Sequence, residues 1–186
     1  MQVTVTEAAR RQQIAEAAVE VVARHGFAGA SFAKIVEHAG LSSTRLISYH
    51  FRDKSDLMMT TLISAISAVD DRMNERLDGT TDRVDMLRSY IEFLVGMLTT
   101  HPDQVRAIRE IGANMPEFAP VLRDFRTGRL ERQLVQGQRE GVFGEFDVRV
   151  VARTIANGVD GADGADTDVD AYARELADLF IRSCVG

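Results

Sequence analysis

An all-α fold is predicted for this chain of 186 residues by three features of its sequence. Proline occurs only at positions 102, 116 and 120, so long stretches lack the residue that most strongly breaks helices. Apolar residues recur three and four positions apart along most of the chain, which is the spacing of one buried helical face. The alternation of apolar and polar residues that would indicate a strand does not occur convincingly. We therefore expect about nine helices.

The first helix is predicted to begin near Thr6 and to end at Gly26. Glycine is common at helix C-termini because it tolerates a positive φ. The apolar positions of this helix follow the i, i+4, i+7, i+8 pattern of a single buried stripe. They are Ile14, Ala18, Val21 and Val22.

Two short helices are predicted next, joined by a tight turn. Ser31 is expected to cap the first of them, because its hydroxyl can accept a free N–H group of the opening turn. Gly40 closes that helix, and Ser42 is expected to cap the second, which carries Leu46 inward. Such a pair is typical of a helix-turn-helix, whose second helix enters the major groove of DNA.

The fourth helix is predicted to be the longest. Asp53 is expected to cap it, with Asp56 three residues later as a partial capping box, and Gly79 to end it. Further helices are predicted over about 82–100, from Pro102, over about 116–139, from Asp147 to a Gly/Asp-rich loop at 157–168, and from there to Cys184.

Charge and cysteine content narrow the class of protein. The net charge is −6, but residues 1–60 sum to +1 and the remainder to −7, so the acidity lies outside the predicted helix-turn-helix. The single cysteine, Cys184, excludes an intrachain disulfide or a cysteine metal cluster. Residues 1–6 do not resemble a secretory signal, and no apolar run approaches the roughly 20 residues of a membrane span. A cytoplasmic protein without a membrane partner is expected.

The third helix is expected to expose polar side chains to DNA. Arg45 can donate two parallel hydrogen bonds to a guanine, and Lys54 is placed for a phosphate contact. For His50, phosphate contact and core packing both stay open. The candidate DNA-binding residues are Ser31, Ser42, Ser43, Thr44, Arg45, Ser48, Tyr49, His50 and Lys54.

Residues 8–60 resemble the TetR family of regulators. Taken together, the matching positions are specific: Gly26, Phe27, Ser31, Phe32, Ile35, Ala39, Gly40, Leu41, Ser42, Tyr49, His50, Phe51, Lys54, Asp56 and Leu57. The stretch from Gly40 to Tyr49 is one residue longer than the spacing commonest in the family. The register of the recognition helix therefore stays open by one position.

The resemblance implies a function and a division of the chain. It implies a three-helix DNA-binding head, which we assign to residues 1–52, and a helical ligand-binding and dimerisation body, assigned to residues 53–186. The last two helices would form a homodimer interface. The protein would then be a transcriptional repressor that a small-molecule effector releases from a palindromic double-stranded operator.

A ligand pocket is expected among the helices of the body. The body has more large apolar and aromatic residues than one buried face per helix requires. Such residues favour a pocket for a hydrophobic or amphipathic ligand, although core packing is an equal alternative for them. Arg109, Asn114 and Asn157 are candidate polar anchors. The candidate ligand-binding residues are Leu62, Ile66, Phe93, Met97, Arg109, Met115, Phe118, Phe125 and Asn157.

Two other classes of protein are considered. One is a helical ligand-binding or scaffolding protein of the same fold that does not bind an operator, and the other is an all-α enzyme with its site in the body. We expect no catalytic activity, because no nucleophile–base arrangement, paired acids or phosphate-binding loop stands out. No metal or cofactor is expected either. The four histidines lack ligand spacing, and a calcium loop beginning at Asp166 would need Gly and Glu where Ala171 and Ala177 stand.

Overall fold

The computed structural model describes residues 7–162 and 168–185. Within these two ranges the chain is helical, without a strand, and it forms nine helices if α7 is counted as one helix interrupted by a π-helical turn. The predicted fold class is confirmed. The helices are α1 Glu7–Gly29, α2 Phe32–His38, α3 Arg45–His50, α4 Lys54–Leu77, α5 Arg83–Thr100, α6 Pro102–Asn114, α7 (Ala119–Arg123, the π turn Asp124–Gly128 and Arg129–Arg139), α8 Val148–Asp160 and α9 Val169–Cys184.

Side-chain caps begin several helices where the sequence predicts them. Ser31 Oγ accepts the N–H of Lys34 at 3.3 Å, and Asp53 Oδ1 accepts the N–H of Asp56 at 2.8 Å. Asp147 accepts two N–H groups in the first turn of α8. Each cap satisfies a donor that has no partner within its own helix, so the predicted starts of α2, α4 and α8 are confirmed.

Gly26 breaks the regular geometry of α1. Its φ of +69° and ψ of 169° are not helical, although helical hydrogen bonding continues to Gly29. A side chain at this φ would be strained. The predicted end of the first helix at Gly26 thus marks a kink, beyond which the chain turns toward α2.

The start and register of α3 differ from the prediction. Ser42 does not cap this helix; instead Ser43 Oγ accepts the N–H of Arg45 at 3.1 Å. Ile47 is fully buried, whereas Leu46 is only half-buried. The inward residue is therefore Ile47, because the helix begins later than expected and its register follows from Phe51, which is 2% exposed.

The helices divide into two compact units that are not continuous in sequence. Unit 1 comprises the described residues up to Asp70 together with Pro102–Phe118, and unit 2 comprises Asp71–His101 with the described residues from Ala119 onward. Unit 1 is larger than the predicted head of residues 1–52, since it includes most of α4 and all of α6. The assignment of DNA binding and ligand binding to separate regions stays a prediction.

Unit 1 is organised around α1. This helix packs against α2, α3 and, most extensively, α6. Its stripe residues Ile14, Ala18 and Val22 are fully buried, as are Ala107 and Ile111 on α6. The helix-turn-helix therefore shares its compact unit with a helix that begins more than 50 residues after it ends.

Unit 2 has an apolar core to which α5, α7, α8 and α9 contribute. Leu87, Ile91, Leu134 and Ile155 are among its buried members. Tyr90, at 3% exposure, also belongs to this core. Helix α5 packs most extensively against α9.

The resemblance implies that the last two helices form a dimer interface, but two of their apolar residues belong to this core. Ile155 is fully buried and Phe180 is 8% exposed within a single chain. They cannot meet a second copy without unfolding the unit. The exposed apolar side chains of the last two helices are Val150, 59% exposed, and Leu179, 52% exposed.

Two properties of residues 7–162 and 168–185 concern membranes and metal ions. None of the described helices is both long and apolar enough to cross a membrane. In the same ranges, no group of three or more His, Cys, Asp or Glu side chains could hold a metal ion. Asp166, where the considered calcium loop would begin, lies outside the described residues, and Ala171 and Ala177 belong to α9.

Candidate nucleic-acid interface

Helices α2 and α3 form a helix-turn-helix. Gly40, with a φ of +65°, follows α2, and the N–H of Leu41 then donates to the carbonyl of Val36 at 2.9 Å. This turn includes the left-handed conformation that glycine adopts without steric cost. It allows α3 to pack against α1 while one side of α3 faces solvent.

The exposed side of α3 carries three side chains of different chemistry. Arg45, Ser48 and Tyr49 are all exposed, and Tyr49 reaches 78%. Arginine provides a planar fork of donors, serine a small hydroxyl, and tyrosine an aromatic ring with a polar end. Their positions at i, i+3 and i+4 place them on one helical face, which is the arrangement needed to enter a groove.

The remaining predicted DNA-binding residues lie around this face. Ser31, Ser42 and Thr44 are exposed, whereas Ser43, His50 and Lys54 are half-buried. The hydroxyls of Ser31 and Ser43 already accept backbone N–H groups. These two serines therefore stabilise the starts of α2 and α3. Their contacts with DNA stay predictions.

His50 takes part in packing at the C-terminal end of α3. Its ring meets the ring of Tyr49 edge-on, with the centroids 4.9 Å apart. Its Nδ1 atom is buried and has no hydrogen-bond partner among the described residues. The ring therefore packs against Tyr49, which is 78% exposed on the same helix.

Lys54, the first residue of α4, is bound to Phe27. Its Nζ lies 4.5 Å from the centroid of the Phe27 ring and 3.3 Å from the Phe27 carbonyl oxygen, to which it donates. The first contact is a cation–π interaction. The predicted phosphate contact would be a second role of Lys54, beside its contacts with Phe27.

Arg11 links α1 to the end of α3 and the start of α4, a role that sequence reasoning missed. Its guanidinium donates to the carbonyl of His50, to Asp56 Oδ1 at 3.2 Å and to Thr60 Oγ1 at 3.1 Å. It also lies 4.2 Å from the centroid of the Phe51 ring. Arg11 stands three positions before Ile14, on the buried stripe of α1. A basic residue on an apolar stripe was the signal that could have identified it.

Asp56 is the acidic partner of this network. Its Oδ2 accepts the backbone N–H of Arg52 at 3.1 Å, and this bond, followed by the interaction with Arg11, lowers the pKa of the Asp56 carboxyl. A carboxylate that accepts hydrogen bonds is stabilised in its charged form. Asp56 was predicted as a capping residue, and it also completes the network of Arg11.

Glu110, on α6, is a second contributor that lies far from the helix-turn-helix in sequence. Its Oε2 accepts the backbone N–H of Phe27 at 2.9 Å. Sequence spacing gives no signal for this contact, because the two residues are 83 positions apart.

The predicted ligand-binding residues fall into both units. In unit 1, Leu62 and Phe118 are buried, Ile66 and Met115 half-buried, and Arg109 exposed; in unit 2, Met97 is buried, Phe93 and Phe125 half-buried, and Asn157 exposed. Phe93 packs against the core of unit 2. Their role in ligand binding stays a prediction.

Unit 2 also has a surface cavity of about 210 Å³ with a polar lining. Its guanidinium groups are already engaged, since Arg83 pairs with Glu140 at 2.7 Å and Arg132 with Asp124 at 3.0 Å. Its chemistry differs from that of the predicted apolar pocket. The lining residues are Arg83, Arg129, Arg132, Gln133 and Gln136.

The helix-turn-helix matches a known family of regulators. Residues 14–59 fit the N-terminal domain model of the bacterial regulatory proteins of the tetR family. This match identifies residues 14–59 as a DNA-binding domain of the tetR type. The segment begins at Ile14 in α1 and ends at Met59 in the second turn of α4, so it contains α2, α3 and the turn between them.

A curated relative covers part of the chain. The HTH-type transcriptional regulator BetI of Pseudomonas fluorescens is 34% identical over 86 residues, which are 46% of this chain and 42% of BetI. The matched part thus spans less than half the length of that relative.

Solved structures with the same fold cover nearly all of the chain. A protein of Saccharomonospora viridis described as a transcriptional regulator, solved in complex with choline, is 21% identical with a TM-score of 0.81, covering 96% of this chain and 99% of that one. The fatty acid degradation regulator FadR of Bacillus halodurans is 20% identical with a TM-score of 0.78, covering 92% and 94%. FadR of Bacillus subtilis, solved with stearoyl-CoA, is 20% identical with a TM-score of 0.70, covering 91% and 96%. At these identities the similarity concerns the fold.

Proposed function

We propose that this TetR-family chain is a homodimeric regulator of transcription that binds a palindromic operator and is released from it by a small hydrophobic or amphipathic ligand. The observation that carries the proposal is the exposed face of α3, with Arg45, Ser48 and Tyr49 side by side in a helix-turn-helix of the TetR family. An exposed aromatic residue next to an arginine and a hydroxyl suits base and phosphate contacts better than it suits a solvated surface.

Recognition of the operator is assigned to α3 in the major groove. Arg45 would read a guanine through its O6 and N7 atoms, and Ser48 and Tyr49 would contact neighbouring bases or phosphates. Arg11, Asp56 and Glu110 do not touch DNA in this proposal; they hold α3. Two copies of α3 in a dimer would meet half-sites about 34–36 Å apart, one turn of the double helix.

Release by a ligand requires that the ligand binds one conformation of the dimer more tightly than the other. The candidate residues supply apolar surface with few polar groups, as small-molecule sites commonly do. Structures of similar fold that hold choline and stearoyl-CoA support a ligand with an apolar part and a charged part. These two ligands differ strongly in size, so the proposal names the class of ligand only.

Selection of bound DNA from a random pool tests operator binding. We expect enrichment of one palindromic sequence, with an affinity that falls steeply as salt is raised. The matched control is the Arg45→Ala, Tyr49→Ala double variant, which should fold and should enrich nothing. A wild-type protein that enriches no sequence would favour a helical ligand-binding protein without an operator.

Titration of ligands into the operator complex tests release. Choline, a fatty acid and its coenzyme A thioester span the proposed class, and release should occur at a concentration that also raises the Tm of the free protein. A compound that raises the Tm without weakening DNA binding would separate ligand binding from regulation.

A further inference from the structure

Phe27 is held from two sides by helices that flank it in space. Its backbone N–H donates to Glu110 Oε2 on α6 at 2.9 Å. Its carbonyl oxygen accepts from Lys54 Nζ on α4 at 3.3 Å, and the same ammonium lies 4.5 Å from the centre of its ring. Both backbone polar groups and the side chain of one residue are therefore engaged by charged groups from elsewhere in unit 1.

The position of Phe27 in the chain gives these contacts their significance. It directly follows the kink at Gly26, and it stands four residues before Ser31, the N-cap of α2. Lys54 is the first residue of α4 and follows α3 after a link of only three residues. The segment that leads into the helix-turn-helix and the segment that leads out of it are thus tied together at Phe27.

Glu110 is itself well anchored on α6. It lies between Ala107 and Ile111, both fully buried, in the helix that packs most extensively against α1. Its carboxylate also covers Gly26, since a Cβ placed there would lie 3.4 Å from Glu110 Oε2. The helix that carries this carboxylate is therefore packed against α1, next to Phe27.

We infer that Glu110 is a positioning residue for the recognition helix α3. Its carboxylate fixes Phe27, and through Phe27 and Lys54 it fixes where α2 begins and where α3 ends. Its effect on operator affinity rests on the proposed DNA-binding function. Glu110 lies outside residues 14–59, the segment that matches the family model, so the DNA-binding unit of this chain includes a residue of α6.

Four variants separate positioning from charge. Glu110→Ala removes the acceptor, and Glu110→Gln keeps an acceptor oxygen without the charge. Glu110→Asp keeps the charge but withdraws the carboxylate by one methylene, and it replaces the alanine variant if that one fails to fold. Glu117→Ala, at an exposed acid of the same unit, is the control for charge. Loss of a negative charge by itself strengthens binding to phosphate, so weaker binding by Glu110→Ala would have the opposite sign to the charge effect.

Hydrogen exchange in the DNA-free protein tests the positioning role directly. We expect Glu110→Ala and Glu110→Asp to speed exchange of the Phe27 amide and also of the α3 amides, because local opening requires fewer broken contacts. Glu110→Gln and Glu117→Ala should exchange like the wild type. Faster exchange confined to Phe27, with α3 unchanged, would overturn the inference and leave Glu110 as a local cap.

Operator affinity tests the consequence. We expect Glu110→Ala to bind the selected operator about five- to tenfold more weakly, the effect of losing one typical intramolecular hydrogen bond, and to bind random DNA like Glu117→Ala. Unchanged operator affinity despite faster exchange at Phe27 would contradict the inference. If the wild type binds no operator, the proposed function fails, and the exchange of the α3 amides still decides whether Glu110 positions the helix.

Discussion

At the scale of the residue, Arg11 should contribute to stability more than its place on a half-exposed helix suggests. Arg11→Met keeps the aliphatic stem but removes the bonds to the His50 carbonyl, Asp56 and Thr60. We expect a loss of about 1.5–3 kcal/mol in the free energy of unfolding, because the lost bonds involve a charged donor. Urea denaturation measures this loss. Arg10→Met, which removes a bond to Gln13 only, should stay within about 0.5 kcal/mol of the wild type.

We expect Arg45 to determine which DNA sequence is bound. We expect Lys54 to contribute to the affinity for DNA of any sequence. Arg45→Ala should cost about 1–3 kcal/mol on the selected operator and relax the preference at one base pair. Lys54→Ala should weaken binding to every sequence and flatten the dependence on salt. It should also loosen Phe27, which its ammonium covers. Binding curves at three salt concentrations measure both effects. An Arg45→Ala variant that folds and binds the operator unchanged would remove Arg45 from the interface.

Glu140 should make unit 2 sensitive to acid. Both guanidinium contacts from Arg83, at 2.7 and 2.8 Å, and a bond from Gln136 lower the pKa of Glu140 from 4.5 to about 2. The stability that this pair contributes is present above pH 4.5 and is lost as the pH falls toward 2. Glu140→Gln should therefore flatten the fall in stability over that range. Urea midpoints at pH 6, 4 and 3 measure the difference. If the urea midpoint depends equally on pH in both proteins, protonation of Glu140 does not contribute to the loss of stability in acid.

At the interface, the exposure of a side chain could be predicted from the sequence where its own residue type and its immediate neighbours determine it. Arg45, Ser48 and Tyr49 were predicted to be exposed, and they are. It failed for Leu46 and Ile47, because two adjacent apolar residues in a helix of six residues give no periodicity to choose between them. Glu110 could not be found at all, since its partner is a backbone N–H group, which every non-proline residue has.

At the scale of the element, two glycines inside helices should respond in opposite ways to alanine. A Cβ at Gly137 in α7 would lie 2.1 Å from Phe143 Cδ2, in the core of unit 2, whereas at Gly96 in α5 nothing lies within 4 Å. We expect Gly137→Ala to cost about 1–3 kcal/mol through overpacking. Gly96→Ala should instead stabilise the protein by up to about 1 kcal/mol through helix propensity. Thermal unfolding of the two variants measures both. A stabilising Gly137→Ala would mean that Phe143 can move aside.

Helix ends were easier to predict than the interior of α7. Ser31, Asp53 and Asp147 cap where expected, because a cap depends on residues within one turn. The π turn Asp124–Gly128 was not foreseen. It adds one residue to a helical turn and shifts the face of the helix, which depends on packing rather than on any residue in the turn itself.

At the scale of the whole molecule, we expect Val150 and Leu179 to lie in the dimer interface and to be required for dimerisation. Both are more than half exposed on the last two helices, where the TetR resemblance places the dimer interface. The Val150→Asp, Leu179→Asp double variant should sediment as a monomer and lose operator binding, since one copy makes half of the contacts. Ile63→Asp changes a similarly exposed residue of α4, 49% exposed, and should remain a dimer. A wild-type monomer at micromolar concentration would refute this interface.

The number of helices could be predicted from sequence, but their grouping could not. Periodicity and caps are local, so α1 to α9 follow from them with small errors at the ends. The joining of α6 with α1 in unit 1, and of α5 with α9 in unit 2, involves faces far apart in the chain. Each of these helices has an apolar stripe, and the residues of a stripe do not indicate which other helix will pack against it.

The interleaving of the two units has a consequence for how the protein is made. Unit 1 is not complete until Phe118 has been added, because α6 belongs to it. At about 5–20 residues per second, a ribosome needs about 2–10 s to add residues 71–118. During this interval α1 emerges with its apolar stripe uncovered by α6, and the Phe27 amide lacks its carboxylate. The nascent chain therefore passes through a state in which the segment matching the family model has been translated but the helix that steadies it has not.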